Sequence, residues 1–323
     1  MKAKLYLGWD IGGANIKITV FNSNFVIQNI YFKNINIWRN FKNLNLFLMK
    51  ISSLYYEYNL HNYITITAES CDNFKNREMG IKLIITSFNN YINGKNLFYT
   101  NADTYISYYE ATKNIEKLFS SNWILSSKFT NQSKDFNFLI DIGSTTTDFI
   151  YKNIDIKSNI NDHSRLKNRT LFYAGVVRTP LASLFNEVIY KSYKIQTVNE
   201  FFASTGDIFN IIGDIDFTSL DYKGADKKNF SKLNSYIRIA RFIGLDFNTD
   251  DQFFFNKLSL YLKKLFMKKI FYNINYLSNG KLDKLKYIEL SNKKISFNKE
   301  ININFIYKNF TSALAVLHAL KKY

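Results

Sequence analysis

Two stretches of this chain couple a strand-end aspartate to a glycine turn: Trp9-Asp-Ile-Gly-Gly-Ala-Asn-Ile-Lys17 and Ile140-Asp-Ile-Gly-Ser-Thr-Thr-Thr-Asp148. Glycine in such a turn accepts backbone angles that a side chain resists, and it leaves main-chain N–H groups open to an anion. Asp10 and Asp141 then sit where a carboxylate can hold Mg2+, directly or through water, while the metal bridges phosphate oxygens. Asp148, on the outgoing strand of the second copy, is a third candidate metal ligand. The candidate phosphate-binding set is Gly12, Gly13, Asn15 and Lys17 in the first copy and Gly143, Ser144, Thr145 and Thr146 in the second.

Three further residues bear on the same chemistry. Glu69 and Asp72 follow the apolar run Tyr63-Ile-Thr-Ile-Thr67, so both fall at the end of a strand expected in the sheet of Asp10. Either can act as a general base or as a water-mediated metal contact; a polar turn capping the helix that starts near Asn76 explains the same residues equally well. Arg178 lies between the apolar run Thr170–Val177 and Pro180, the sole proline. Its fork of donors suits a phosphate or carboxylate clamp, with an exposed ion pair as the alternative.

The elements that must position these groups read as follows. Residues 4 to 34 form a three-stranded meander, and 38 to 60 carry apolar side chains at helical spacing. A strand near 96–100 and a helix over Thr104–Phe119 follow, then a short helix from Asn122 and a polar joint at 130–136. After the second copy come a strand over Thr170–Val177, a helix from Pro180 through Leu184 and Val188, and a helical stretch over Glu200–Gly213. A Lys-rich amphipathic helix at Leu258–Phe271, a late strand at Tyr287–Leu290 and a closing helix at Phe310–Leu320 complete the chain. This gives two domains, 1–135 and 136–323, the second with a mainly helical insertion around 181–270. Two domains also suit the length of 323 residues.

Composition narrows the class. Lys and Arg number 43 against 26 Asp and Glu, yet the lysines are dispersed among abundant Asn, Ile, Phe and Tyr, the signature of an AT-rich coding sequence. No basic run or nucleic-acid motif stands out, so nucleic acid is not an expected partner. With Cys71 the single cysteine, neither an internal disulfide nor a cysteine zinc site can form. Asp10 interrupts any leader-like apolar region, and no apolar stretch reaches membrane length. A cytoplasmic protein without membrane contact is the expectation, and oligomeric state is left open.

The two Asp-Ile-Gly hairpins resemble the phosphate loops of the acetate kinase, sugar kinase, Hsp70 and actin superfamily. That resemblance implies an α/β fold of two ribonuclease-H-like domains facing across a cleft. A narrower resemblance rests on Trp9–Lys17, Thr67–Asp72, Asp141–Asp148, Tyr173–Pro180 and Glu200–Gly213, with Asp162–Leu166 and Arg238–Asp246 adding to it. These look like the hydantoinase/oxoprolinase-related proteins of tetrahydromethanopterin and methanofuran pathways, including the aminomethylfuran-phenoxymethyl synthases. It implies a Mg2+-assisted transferase that joins an aminomethylfuran diphosphate to the phenol of a tyramine-like amine and releases diphosphate. The partners would be a phosphorylated furan and a phenolic amine. Glu289–Lys294 lacks the late glycine turn with which the kinases bind adenosine, and Lys227 stands where relatives lead one to expect glycine. Two other readings stay open on the same fold: an ATP-dependent kinase or hydantoinase/oxoprolinase-like amidohydrolase, and a nonenzymatic nucleotide-binding scaffold.

Overall fold

The structure, a computed structural model, describes residues 2–217, 222–280, 287–291 and 310–321. The chain divides into two compact units, one of Met1–Asn137, Ile150–Arg165 and Ile306–Tyr323, the other of Phe138–Phe149 and Leu166–Phe305. Relative to the single boundary expected at 136, Ile150–Arg165 and the closing helix return to the first unit.

The first unit begins with a meander of β1 (Lys4–Ile11), β2 (Asn15–Phe21) and β3 (Ile27–Asn34). β4 (Asn59–Ile66) runs parallel to β1, β5 (Lys95–Tyr99) parallel to β4, and β6 (Tyr105–Ser107) antiparallel to β5. The sheet order β3-β2-β1-β4-β5-β6 is ribonuclease-H-like, with β1 and β4 in the middle. Alternate residues of β1, Leu5, Leu7, Trp9 and Ile11, are buried on one face of the sheet. The helices Lys42–Leu54 and Arg77–Tyr91 contribute Leu44, Leu48, Ile81, Ile84 and Phe88 to one core with these strands. Trp9 meets the Phe88 ring edge-on at 5.0 Å, and its buried indole N–H donates to Asn62 at 3.0 Å.

The helix Phe310–Ala319 packs against β1, where Gly8 is required: a Cβ there would lie 1.7 Å from the Ser312 carbonyl oxygen. The Ser312 and Thr19 hydroxyls bond at 2.8 Å beside this contact.

The second unit repeats the opening plan with β7 (Phe138–Ile142), β8 (Thr147–Tyr151) and β9 (Leu171–Phe172). The order is β12-β7-β8-β9, with β12 (Tyr287–Ser291) parallel to β7 as β4 is to β1. Between β9 and β12 lie the hairpin β10 (Glu187–Tyr190) and β11 (Tyr193–Gln196) and the helices Thr205–Ile211, Lys232–Phe242 and Gln252–Leu277. The fold class is thus α/β, with the same four-strand order recurring in both units.

Local differences from the sequence reading have physical causes. Thr104–Phe119 is not one helix: Tyr105–Ser107 pairs with β5, and Ser107 with Glu110 forms a capping box that starts a helix only at Tyr108. Of Thr170–Val177 only Leu171–Phe172 is strand: Ala174 N–H turns back to the Phe172 carbonyl, Gly175 N–H goes to the Thr179 hydroxyl, and the Val176 and Val177 N–H groups go to the second hairpin turn. The helix after Pro180 ends at Leu184, and Val188 belongs to β10. In Glu200–Gly213 only Thr205–Ile211 is helical. The stretch 130–136 is helical as far as Gln132. Residues 292–294 of the glycine-free stretch lie outside the described residues. No helix among the described residues is long and apolar enough to cross a membrane.

Candidate functional site

The two Asp-Ile-Gly hairpins share one turn geometry. Gly12 N–H donates to the Asn15 carbonyl at 3.0 Å, and Gly143 N–H donates to the Thr146 carbonyl at 2.8 Å. Each turn therefore has two linking residues, Gly13-Ala14 or Ser144-Thr145. Carried two residues down the strands, the register pairs Asp10 with Lys17 and sets Asp141 opposite Asp148. Cross-strand neighbours share a face and interact directly.

In the first hairpin the pair is an ion pair. The Lys17 ammonium lies 3.1 Å from the Asp10 carboxylate, which is 4 % exposed. Lys17, expected among the phosphate-binding residues, is thus engaged with Asp10. The turn is packed from beneath, since a Cβ at Gly13 would lie 2.6 Å from the Cys71 sulfur. Cys71 belongs to the turn after β4 that carries Glu69 and Asp72, and Thr67 N–H donates to the Ile11 carbonyl at 2.9 Å. The acidic turn and the first hairpin are therefore one packed region of the first unit.

In the second hairpin the cross-strand pair is two carboxylates, Asp141 and Asp148, both half-buried. The Ser144 and Thr145 hydroxyls lie 3.4 Å apart on the turn. The turn is held by the segment after β9. Val176 N–H donates to the Gly143 carbonyl at 3.0 Å, and the Val177 and Arg178 N–H groups converge on the Ser144 carbonyl at 3.1 and 2.9 Å. Gly175 makes this approach possible, because a Cβ would lie 2.5 Å from main-chain atoms of Gly143, Ser144 and Thr145. Half-buried Arg178 is thereby placed beside the second turn. Thr147 is buried and its hydroxyl donates to the Ala174 carbonyl at 2.8 Å.

Behind this segment runs a chain of hydrogen bonds that sequence reasoning missed as a unit. The Thr205 hydroxyl donates to the Gly175 carbonyl at 2.7 Å, and Gly206 N–H to the Val177 carbonyl at 3.0 Å. The helix bearing them is capped by Asp207, which accepts from Ser204 N–H at 2.9 Å. Asp207 in turn binds Arg238 Nε at 2.7 Å, both residues being fully buried, and Arg238 Nη1 reaches Asp226 at 2.9 Å. Gly224 leaves room for the guanidinium, since a Cβ would lie 2.4 Å from Arg238 Cζ. Arg238 thus supports the second hairpin through Asp207, the Thr205 turn and Gly175. The sequence signal was charged residues within apolar runs, at Asp207 and Arg238.

The two candidate bases differ sharply. Asp72 is exposed. Glu69 is 1 % exposed, and its Oε1 accepts from Arg77 Nη2, Ser120 N–H and the Ser120 hydroxyl, each at 2.9 Å. Its Oε2 is buried without a hydrogen-bond partner among the described residues. Burial pushes the Glu69 carboxyl up, against the pull of Arg77 and Ser120. Arg77 also approaches Asp162 at 3.6 Å. Neither Arg77 nor Ser120 was singled out from sequence, because their separation from Glu69 hides the cluster.

Among the described residues no group of three or more His, Cys, Asp or Glu side chains converges on a metal-sized site. The oxygen donors on the second hairpin, two carboxylates and the turn hydroxyls, instead suit a hard cation that retains waters and phosphate oxygens, as Mg2+ does.

Fold and site together define an α/β protein of two ribonuclease-H-like sheets, each opened by an Asp-Ile-Gly hairpin. No family profile matches the sequence. The chain is 33% identical over 243 residues to the (4-{4-[2-(gamma-L-glutamylamino)ethyl]phenoxymethyl}furan-2-yl)methanamine synthase of Methanocaldococcus jannaschii, covering 73% of this chain and 71% of the relative. It is 41% identical over 126 residues to the synthase of the same name from Methanococcus vannielii, covering 38% of this chain and 55% of that one. The chain belongs to this family of synthases, which are enzymes. Solved structures similar to it include the ethanolamine utilization protein EutJ from Carboxydothermus hydrogenoformans, with TM-score 0.44 and 9% identity over 98% of this chain and 89% of that one. A ROK family protein from Streptococcus pneumoniae in complex with sucrose gives TM-score 0.39 and 13% identity over 99% and 100%. Likenesses so distant assign no chemistry.

Proposed function

We propose that this chain is a cytoplasmic transferase of methanofuran-type cofactor biosynthesis, joining an aminomethylfuran diphosphate to the phenol of a γ-glutamyl-tyramine-like acceptor. In this reaction the bond from the furan methylene to the diphosphate oxygen breaks and a bond from that methylene to the phenol oxygen forms. Diphosphate leaves with the bonding electrons, and the phenolic proton goes to a base. The observation that carries the reading is the second hairpin, where two facing aspartates and a hydroxyl turn occur in a chain of this synthase family.

Asp141 and Asp148 would hold Mg2+, and the bound ion would supply charge neutralisation for the departing diphosphate. The backbone of the turn, fixed by the Val176, Val177 and Arg178 N–H groups, keeps Ser144 and Thr145 in one arrangement before substrate arrives. Donors fixed in advance need no reorganisation as charge develops on the leaving group. Arg178, beside the turn, adds a cation for the same oxygens. The phenol, with an ordinary pKa near 10, needs help to lose its proton. Of the two candidate bases of the first unit, Glu69 has the chemistry of a base more than Asp72 does, because burial raises its affinity for a proton and one of its oxygens has no partner among the described residues.

The test is diphosphate release from the activated furan, with γ-glutamyl-tyramine as acceptor and Mg2+ present. Release that requires acceptor and Mg2+ and is lost in Asp141→Asn supports the reading. Turnover of ATP with no furan coupling would replace it with the kinase or amidohydrolase reading.

A further inference from the structure

In the second unit a groove of about 1280 Å³ lies between β9, the hairpin β10–β11 and the helix Gln252–Leu277. Its apolar lining includes Leu171 and Phe172 from β9 and Leu265 from the helix. Three cations, Arg169, Lys268 and Lys269, share that lining with a single carboxylate, Glu187, which is engaged by Lys194 at 2.5 Å. No carboxylate among the described residues pairs with Arg169, Lys268 or Lys269.

Arg169 is also positioned in advance. It adopts φ 59°, a backbone conformation that few side chains occupy without cause. Its guanidinium lies over the rings of Tyr272 and Tyr276, at 4.9 and 4.5 Å from their centroids. Stacking on aromatic faces leaves the in-plane donors of the guanidinium free to meet an anion. Three like charges gathered along an apolar lining are best matched by a ligand with an apolar or aromatic body and a negative end.

The groove starts close to the second hairpin. Leu171 stands opposite Asp148 in the β8–β9 register, so the apolar lining begins about one inter-strand spacing, roughly 5 Å, from Asp148. We propose that the groove is the acceptor subsite: it seats an extended phenol with its aromatic end at β9 and a carboxylate at its far end on Arg169, Lys268 and Lys269. The choice of ligand rests on the transferase reading; the charge pattern that selects a carboxylate-bearing molecule does not.

The experiment compares the wild type with Lys268→Glu/Lys269→Glu, both positions being exposed on the helix and thermal unfolding confirming an intact fold. Calorimetric titration uses γ-glutamyl-tyramine and, separately, tyramine, which lacks the carboxylate. The wild type is expected to bind γ-glutamyl-tyramine at least tenfold more tightly than tyramine, and the double variant to lose that preference. In turnover the variant raises KM for the acceptor about tenfold with kcat little changed. An unchanged preference in the variant, no preference in the wild type, or loss of Mg2+-diphosphate binding in place of acceptor binding overturns the inference. Diphosphate release with an unaltered acceptor KM removes the groove and keeps the transferase. Charge-dependent acceptor binding with no diphosphate release removes the transferase and keeps the groove.

Discussion

The first and second hairpins have the same turn, the same strand order around them and opposite cross-strand electrostatics. One sets Lys17 across from Asp10 at 3.1 Å, a pair of opposite charges; the other sets Asp148 across from Asp141, a pair of like charges. Like charges facing across a strand pair are unfavourable unless something offsets them. In the proposed function the cation belongs to the second hairpin, and a repeated motif need not mean a repeated role.

The comparison can be broken by exchanging the pairs. Asp148→Lys gives the second hairpin the charges of the first, and furan-dependent diphosphate release should fall at least a hundredfold, with the Mg2+-induced rise in Tm disappearing; an unaltered Mg2+ response would locate the metal elsewhere. Lys17→Asp gives the first hairpin the charges of the second. It should lower Tm in the absence of divalent cation, and restoration of that loss by Mg2+ would show that two facing aspartates suffice to recruit the ion.

The supports of the hairpins offer a second contrast, in stability. Arg238→Met leaves Asp207 buried without its guanidinium, and loss of one partner of a buried pair costs about 3–5 kcal/mol, measurable by urea unfolding. Gly175→Ala forces a methyl against main-chain atoms of the second turn and should cost about 1–3 kcal/mol, the usual range for overpacking, while weakening Mg2+-diphosphate binding. Gly13→Ala in the first turn meets the Cys71 side chain instead of backbone, and should be the milder of the two.

The smallest effect expected is a pH dependence in the first unit. Burial raises the Glu69 carboxyl, so the folded state keeps this proton to a higher pH than the unfolded state does. Over that interval the native state binds more protons, and the contribution of Glu69 to stability, fully present below the unfolded value near 4.5, falls as pH rises through the folded value. Glu69→Gln should flatten that part of the Tm–pH curve; parallel curves for variant and wild type would show that folding leaves the proton affinity of Glu69 unchanged.

Much of the fold was legible because its signals are local. Alternating and continuous apolar runs mark β1, β2, β4 and β7, and the duplicated Asp-Ile-Gly marks where each sheet begins. What escaped depends on partners distant in sequence. Tyr105–Ser107 carries helix-compatible side chains and becomes strand only because β5 offers it an edge. Thr170–Val177 reads as a strand, yet the Val176 and Val177 N–H groups are spent on Gly143 and Ser144, thirty-odd residues earlier. In the site, the hairpin residues could be named from spacing, but the Glu69–Arg77–Ser120 cluster and the Arg238 support join residues whose separation carries no periodic signal.

The contact between Gly8 and the helix Phe310–Ala319 has a consequence for biogenesis. β1 leaves the ribosome well before the helix that covers it, and the Thr19–Ser312 bond closes a loop of 293 residues. Until that helix emerges, one face of the central strand has no cover, so the first unit cannot finish folding during its own synthesis. Completion waits for a segment 293 residues further along, a high-contact-order arrangement that slows folding and prolongs exposure of apolar β1 to aggregation or to chaperones.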